Sequence, residues 1–77
     1  MKYKYISGRL GKEIAKIRKE KGLSQEELAF NCYINRSTIA MVEEGKTNPS
    51  LKVLLKISCG LKTPLWRLLK SVQPLIK

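Results

Sequence analysis

Two short segments that favour helix are separated by only three residues near the middle of this 77-residue chain. The first begins at "LSQEEL", where Ser24 is placed to cap a helix and Glu27 completes a capping box. The second, "RSTIAMVEEG", follows Asn35, a favourable N-cap residue, and ends at Gly45. Two short helices joined by about three residues are typical of a helix-turn-helix, so the spacing predicts this motif.

Apolar residues at helical spacing continue on the N-terminal side of the motif. In "GRLGKEIAKIRKEKG", Leu10, Ile14 and Ile17 form one stripe, and Gly22 follows where a helix would end. The same reasoning assigns the inward faces of the two middle helices to Leu28, Ala29 and Cys32 and to Ile39 and Val42. The pattern therefore predicts three helices over residues 8–45.

Two further helices are expected after the motif. Asn48 and Pro49 are placed as N-cap and first helical residue of a fourth helix, and Thr63 and Pro64 repeat this arrangement for a fifth. The predicted inward faces are Leu51, Leu54, Leu55, Ser58 and Leu61 in the fourth helix and Leu65, Leu68, Leu69 and Val72 in the fifth. The sequence thus predicts one compact, all-α, five-helix domain over residues 1–77, with an N-terminal extension at 1–8 and a tail at 70–77.

Charge is distributed unevenly along the chain, whose formal net charge is +10. Residues 1–21 contain eight Lys/Arg and two Glu, residues 22–44 contain Arg36 and four Glu, and residues 45–77 contain seven Lys/Arg and no acid. Two basic flanks around an acidic centre indicate a polyanionic partner that binds through salt-sensitive attraction. The alternative is a charged surface that serves solubility alone.

Several classes of protein do not fit this composition. The apolar runs are shorter than the roughly 20 residues of a membrane span, and no signal peptide is evident, so a cytoplasmic location is expected. Cys32 and Cys59 lack a CxxC spacing, and the chain contains no His, so we expect reduced, apolar thiols and neither a metal nor a cofactor. Without His, Asp, a phosphate loop or an activated nucleophile, no enzymatic activity is expected.

The stretch "GLSQEELAFNCYINRSTIAMVEEGKTNPSLKVLLKISCGL" resembles the phage repressor and Cro type of helix-turn-helix protein, the XRE-like group. The matching features are Gln25, Ala29, Ile39 and Val42, followed by E-x-G-K and N-P-S, and the resemblance runs from about Arg9 to Leu69. It implies a lambda-repressor-like fold and sequence-specific binding of double-stranded DNA by a regulator of transcription, associated with the nucleoid through that binding.

The resemblance also implies a division of labour among the residues that contact DNA. Base contacts fall to Arg36, Ser37 and Met41, with Thr38 at the edge of the helix; an arginine here can donate two hydrogen bonds to guanine. The alternatives are an exposed, solvated charge for Arg36 and plain surface for Met41. The residues implied at the DNA backbone are Gln25, Asn35, Lys46, Thr47 and Asn48.

Two structural expectations accompany the resemblance. It pairs Arg18, late in the first helix, with Glu43 at the end of the recognition helix, which leaves Glu44 facing solvent or opposing a wrong DNA register. At the turn position usually occupied by glycine, this chain has Tyr33. A left-handed backbone costs a non-glycine residue about 1 kcal/mol, so the turn is either strained or differently shaped.

One domain of this size covers few base pairs, so we expect a homodimer that binds an inverted repeat. Trp66 occupies a position that the family more often fills with a polar residue, which marks the fifth helix as a candidate interface. The predicted interface consists of Leu65, Trp66, Leu69, Val72 and Ile76. The alternative is that Trp66 folds back over its own core.

The biological setting is left open by the sequence. A chain with "NRSTIA" at the recognition helix also resembles the controller proteins of restriction-modification systems, alongside phage repressors and antitoxin-like regulators. Activation and repression are both compatible with it. Two other classes stay possible, a nonspecific nucleic-acid-binding protein and an antitoxin-like protein-interaction module. No small-molecule ligand is expected.

Overall fold

The computed structural model describes residues 3–75, and the regular elements in that range are all helices, joined by short turns and loops. The elements are α1 (Tyr3–Glu20), α2 (Gln25–Cys32), α3 (Arg36–Glu43), α4 (Leu51–Gly60) and α5 (Leu65–Leu69), followed directly by a 3₁₀ helix (Lys70–Leu75). The described part of the chain has no strand, which confirms the all-α, five-helix prediction. None of its helices is both long and apolar enough to cross a membrane.

The first helix begins at Tyr3, five residues before the expected start at Gly8. Residues 3–8, predicted to be an extension, are thus the opening turns of α1. Ile6 packs against the core, and the buried Ser7 donates a hydrogen bond through its Oγ to Oδ1 of Asn48. These contacts are with distant parts of the chain, so no local capping signal could have indicated them.

Four of the five α-helices end in the same way, with one residue in the left-handed conformation. These residues are Gly22 (φ 71°), Tyr33 (φ 58°), Gly45 (φ 72°) and Lys62 (φ 52°). In each case the next residue donates its N–H to a carbonyl five positions earlier, as in Ile34 N to Ala29 O at 3.0 Å. The strained alternative for the turn at Tyr33 is therefore the one adopted, and Lys62 is a second such position that the sequence did not indicate.

The predicted start of α2 is confirmed. The Glu27 N–H donates to Ser24 Oγ at 3.0 Å, and the Ser24 N–H donates to Glu27 Oε1 at 2.9 Å, so the capping box is complete. The hydrogen bond from the Ser24 backbone holds the pKa of Glu27 below its usual value. Asn35 occupies the N-cap position of α3, but its side chain forms no capping hydrogen bond.

The predicted N-cap residue is wrong by two positions in α4 and by one position in α5. Ser50, and not Asn48, caps α4, because its Oγ accepts the N–H of Val53 at 3.2 Å while the Asn48 side chain is engaged by α1. Pro64, and not Thr63, occupies the N-cap position of α5. The Thr63 hydroxyl instead donates to the carbonyl of Leu61 at 3.1 Å.

The core draws on every helix. Its buried members are Leu10, Ile14, Ile17, Leu28, Ala29, Cys32, Ile39, Val42, Leu54, Ile57, Leu61, Leu68 and Val72. The predicted inward faces of α1, α2 and α3 are thus confirmed. In α4 the prediction was partly wrong, since Ile57 is buried whereas Leu51 and Leu55 are exposed.

The two thiols lie in different surroundings. Cys32 is buried, and removal from water raises its pKa to about 11. Cys59 is exposed, so only Cys32 has the fully apolar surroundings that were expected for both thiols.

Two glycines permit the helix contacts that position α3. A Cβ atom on Gly11 of α1 would lie 2.2 Å from the carbonyl oxygen of Val42 in α3. A Cβ atom on Gly60 of α4 would lie 2.2 Å from Sγ of Cys32 in α2. Both distances are shorter than any real contact, so α1 approaches α3, and α4 approaches α2, only because a side chain is missing at each crossing.

Candidate nucleic-acid interface

The third helix presents one face to the core and the opposite face to solvent. Ile39 and Val42 are buried, whereas Arg36, Ser37 and Met41 are exposed. A helix with this division of faces can enter the major groove with its polar side while the apolar side keeps it fixed to the domain.

The Arg36 guanidinium is held only loosely. Its Nη1 lies 3.8 Å from Oε1 of Glu26, and both side chains are more than half exposed. Exposed ion pairs contribute little free energy, so Arg36 can leave this carboxylate for another acceptor at low cost. The side chain shares a concavity with Ser24 and Gln25, which brings the N-termini of α2 and α3 together at one surface.

Gln25, predicted at the DNA backbone, belongs to a buried network. Arg18 donates through Nε to Glu43 Oε2 at 2.7 Å and through Nη2 to Oε1 at 3.1 Å, which is the pairing that the resemblance implied. Its Nη1 also donates to the carbonyl of Leu23 at 2.8 Å, and Gln25 Nε2 donates to Glu43 Oε1 at 3.0 Å. One carboxylate therefore fixes the end of α3 relative to both α1 and the start of α2.

The loop after α3 carries the second group of predicted backbone-binding residues. Lys46 is exposed, and its Nζ lies 3.1 Å from Oε2 of Glu44, which gives Glu44 a partner that the sequence did not suggest. Lys46, Thr47 and Asn48 line one concavity beside α1. The Ser7 hydroxyl donates a hydrogen bond that joins Asn48 to α1.

Lys4 lines this concavity as well, so the structure adds a basic residue that the sequence reasoning missed. The only available signal was the Lys content of residues 1–8, which were treated as an extension outside the domain.

Thr38 and Asn35 border a different concavity from the one that Arg36 and Gln25 share. Both line a concavity together with Tyr33 of the turn and Val53 and Lys56 of α4, and Thr38 is only half exposed. Apart from Ser37 and Met41, which are simply exposed on α3, the predicted DNA-binding residues thus line three separate concavities.

The residues predicted for a dimer interface do not share one environment. Trp66 is 65% exposed, so it does not fold back over the core, whereas Leu65 and Leu69 are half buried against the core. Val72 is itself a core residue with 3% exposure, which removes it from the predicted interface. The 3₁₀ helix directs the Val72 side chain into the core and packs against α1. Arg9 Nε donates a hydrogen bond to the carbonyl oxygen of Ser71 in this helix at 3.2 Å. Ile76 lies outside the described residues.

Comparison with known proteins places this arrangement in a family. The model of the helix-turn-helix family HTH_3 matches residues 14–65, a range that contains α2, α3, α4 and most of the core residues. The chain belongs to the HTH_3 family. This membership confirms the XRE-like resemblance, and the HTH_3 protein is a DNA-binding regulator of transcription.

Its relatives include control proteins. The chain is 41% identical over 69 residues to control protein C.MunI from Mycoplasma sp, and the match covers 88% of this chain and 93% of C.MunI. It is 42% identical over 52 residues to control protein C.BamHI from Bacillus amyloliquefaciens, and this match covers 66% of the present chain and 64% of C.BamHI. The crystal structure of the restriction-modification controller protein C.AhdI from Aeromonas hydrophila superposes with a TM-score of 0.79 and 37% sequence identity. The superposition covers 80% of this chain and 94% of C.AhdI.

Proposed function

We propose that this HTH_3 protein is a controller-type regulator that binds an inverted repeat in double-stranded DNA as a homodimer. The observation that carries the proposal is the pair of basic sites at the two ends of the exposed face of α3. Arg36 lies at its N-terminus beside α2, and Lys46 lies just beyond its C-terminus beside α1. The similarity to control proteins C.MunI and C.BamHI supports the controller role.

In this proposal α3 reads base edges. Arg36 is exposed at the N-terminus of α3, and its planar guanidinium can donate two parallel hydrogen bonds to O6 and N7 of guanine. Ser37 and Met41 follow on the exposed face, where a hydroxyl can bond a base edge and a thioether can pack on a thymine methyl group. Thr38, half buried toward α4, contacts DNA at the edge of this face.

The backbone contacts position the helix without reading sequence. On one flank Gln25, oriented by Glu43, and Asn35, whose side chain does not cap α3, face one strand. On the other flank Lys46 and its loop face the phosphates. The residues assigned to the backbone are Gln25, Asn35, Lys46, Thr47 and Asn48, to which we add Lys4.

The homodimer is assigned to the surface around Trp66. Glu13, Arg67 and Lys70 line the same concavity as Trp66, so acidic and basic groups lie side by side around an exposed aromatic ring. A twofold interface brings the same patch of each subunit together, and a patch that carries both signs can pair with itself. Leu65 and Leu69 are assigned to the interface through the parts of their side chains that the core leaves uncovered. The protein acts by binding alone, without catalysis or cofactor.

Selection of binding sites from a random duplex pool at near-physiological salt tests the proposal. Recovery of an inverted repeat with half-site centres about one helical turn apart is the expected result. An enriched single half-site would retain base reading and reject the homodimer. If no sequence is enriched and binding disappears as salt rises, the protein is a nonspecific binder and the proposal is wrong.

The dimer is tested separately by sedimentation of the protein without DNA. Trp66→Ala is expected to shift the profile toward monomer, because truncation removes the aromatic anchor at the centre of the surface. Tyr5→Ala is a matched control, since Tyr5 is similarly exposed at 63% but belongs to α1. Equal profiles for the two variants would remove Trp66 from the interface.

A further inference from the structure

A second apolar surface lies between α2 and α4, away from Trp66. Tyr33, Leu51 and Leu55 are 89%, 64% and 46% exposed, and together with Cys59 they line a groove of about 580 Å³. We call this the α2–α4 groove. Phe30, which is 81% exposed, lies in the adjoining concavity, and Tyr33 lines both. Single exposed apolar side chains are common on protein surfaces, whereas a contiguous apolar patch on a small domain marks an interaction site.

The charged residues of the groove all have one sign. Lys52 and Lys56 line it, one turn apart on α4, and within the described chain none of its lining residues is acidic. The groove therefore differs from the surface around Trp66, where Glu13 lies beside Arg67 and Lys70.

This single sign argues against a second copy of the chain as the occupant. In a twofold contact each groove would meet an identical groove, and like charges placed opposite each other oppose association. An occupant with apolar side chains flanked by carboxylates would satisfy both the apolar floor and the lysines. We propose that the α2–α4 groove binds an acidic amphipathic segment of a partner protein.

Cys59 provides a built-in reporter of occupancy. It is exposed in the groove, whereas Cys32 is buried with its pKa raised to about 11, so a thiol reagent modifies Cys59 selectively in the folded protein. An occupant that covers the groove slows this reaction by mass action. At a peptide concentration about ten times its Kd, the rate should fall roughly tenfold.

The probe is a synthetic amphipathic peptide with leucines at helical spacing and flanking glutamates; the control peptide has lysine at every glutamate position. The glutamate peptide is expected to protect Cys59 and the lysine peptide is not. In the double variant Lys52→Glu/Lys56→Glu this preference should reverse. Lys12→Glu/Lys16→Glu on α1 makes the same change in net charge at the same spacing and should retain the original preference.

Three outcomes would overturn the proposal. Equal protection by both peptides, or by neither, would show that the lysines select no acidic partner. Protection that increases with protein concentration in the absence of peptide would assign the groove to a second copy. Protection by random duplex DNA would assign it to nucleic acid. Selection of DNA sites by the intact protein is measured independently, so failure here leaves the proposed regulator unaffected.

Discussion

Arg18 and Glu43 form a two-point ion pair that joins the end of α1 to the end of α3. Their side chains are 10% and 6% exposed, and the shorter of the two hydrogen bonds is 2.7 Å. A buried pair of this kind offsets its own desolvation cost, so it adds little net stability but specifies geometry. Here the geometry that it specifies is the position of the exposed face of α3 relative to the rest of the domain.

Breaking this ion pair on one side should be costly. Glu43→Gln leaves the Arg18 charge buried without a counter-charge, and we expect a loss of about 3 kcal/mol or more in the free energy of unfolding, measured with urea. Glu26→Gln, at the exposed partner of Arg36, should change it by less than about 0.5 kcal/mol. Arg18→Met combined with Glu43→Leu should cost much less than the sum of the single changes. Additive losses would show that the two charges are not coupled.

Two glycines in α1 should respond in opposite ways to alanine. Gly11→Ala places a methyl group against the backbone carbonyls of Val42 and Glu43, so we expect a loss of about 2 kcal/mol, within the range for overpacked sites. Gly8→Ala meets no atom within 4 Å, and its higher helix propensity should raise stability by up to about 1 kcal/mol. Thermal unfolding of both variants checks this, and losses of equal size would contradict the close α1–α3 contact.

The left-handed turn at Tyr33 predicts an unusual order of stability. With φ at 58°, Tyr33→Gly should be more stable than Tyr33→Ala by about 1 kcal/mol, because only glycine adopts this backbone without a Cβ clash. At Phe30, a helical and exposed neighbour, the order should reverse, with alanine favoured by about 1 kcal/mol. Denaturant unfolding of the four variants gives both differences. Alanine favoured at both positions would exclude the left-handed turn.

The capping box should make stability depend on pH. The pKa of Glu27 is lowered in the folded state from its usual 4.5, so its carboxylate favours folding. This contribution is complete above the unfolded pKa and is lost as pH falls through the lower, folded value. Glu27→Gln keeps an acceptor for the Ser24 N–H but does not titrate. Between about pH 6 and about pH 3, the unfolding temperature of the unmodified protein should therefore fall more than that of the variant. If the unfolding temperatures of the two proteins fell in parallel with pH, Glu27 would not contribute to the pH dependence of stability.

Arg36 and Lys46 should affect DNA binding differently. Arg36→Ala should reduce affinity for the selected operator by about 1–3 kcal/mol more than affinity for random duplex, because base contacts carry discrimination. Lys46→Ala should weaken both duplexes alike and reduce the salt slope by about one. Titrations at several salt concentrations separate the two effects. Equal losses on both duplexes for Arg36→Ala would assign that residue to the backbone.

Much of the helix-turn-helix was predictable because its signals are local. The capping box joins Ser24 to Glu27 three residues away, and Gly22 and Gly45 end their helices through hydrogen bonds within the last turn. The apolar stripes of the first three helices likewise identified their buried residues. For these features the interacting groups lie within one or two helical turns, so the amino-acid order alone specifies them.

The remaining features depend on partners far along the chain. Residues 3–8 and Asn48, both of which were assigned differently from the sequence, are joined by the hydrogen bond from Ser7 across 41 residues. Apolar spacing also could not show which leucines of α4 stay outside, since the stripe offered more apolar positions than the core could cover. Tertiary packing made that choice, because the crossing at Gly60 sets the face of α4 that meets α2 and leaves Leu51 and Leu55 in the groove.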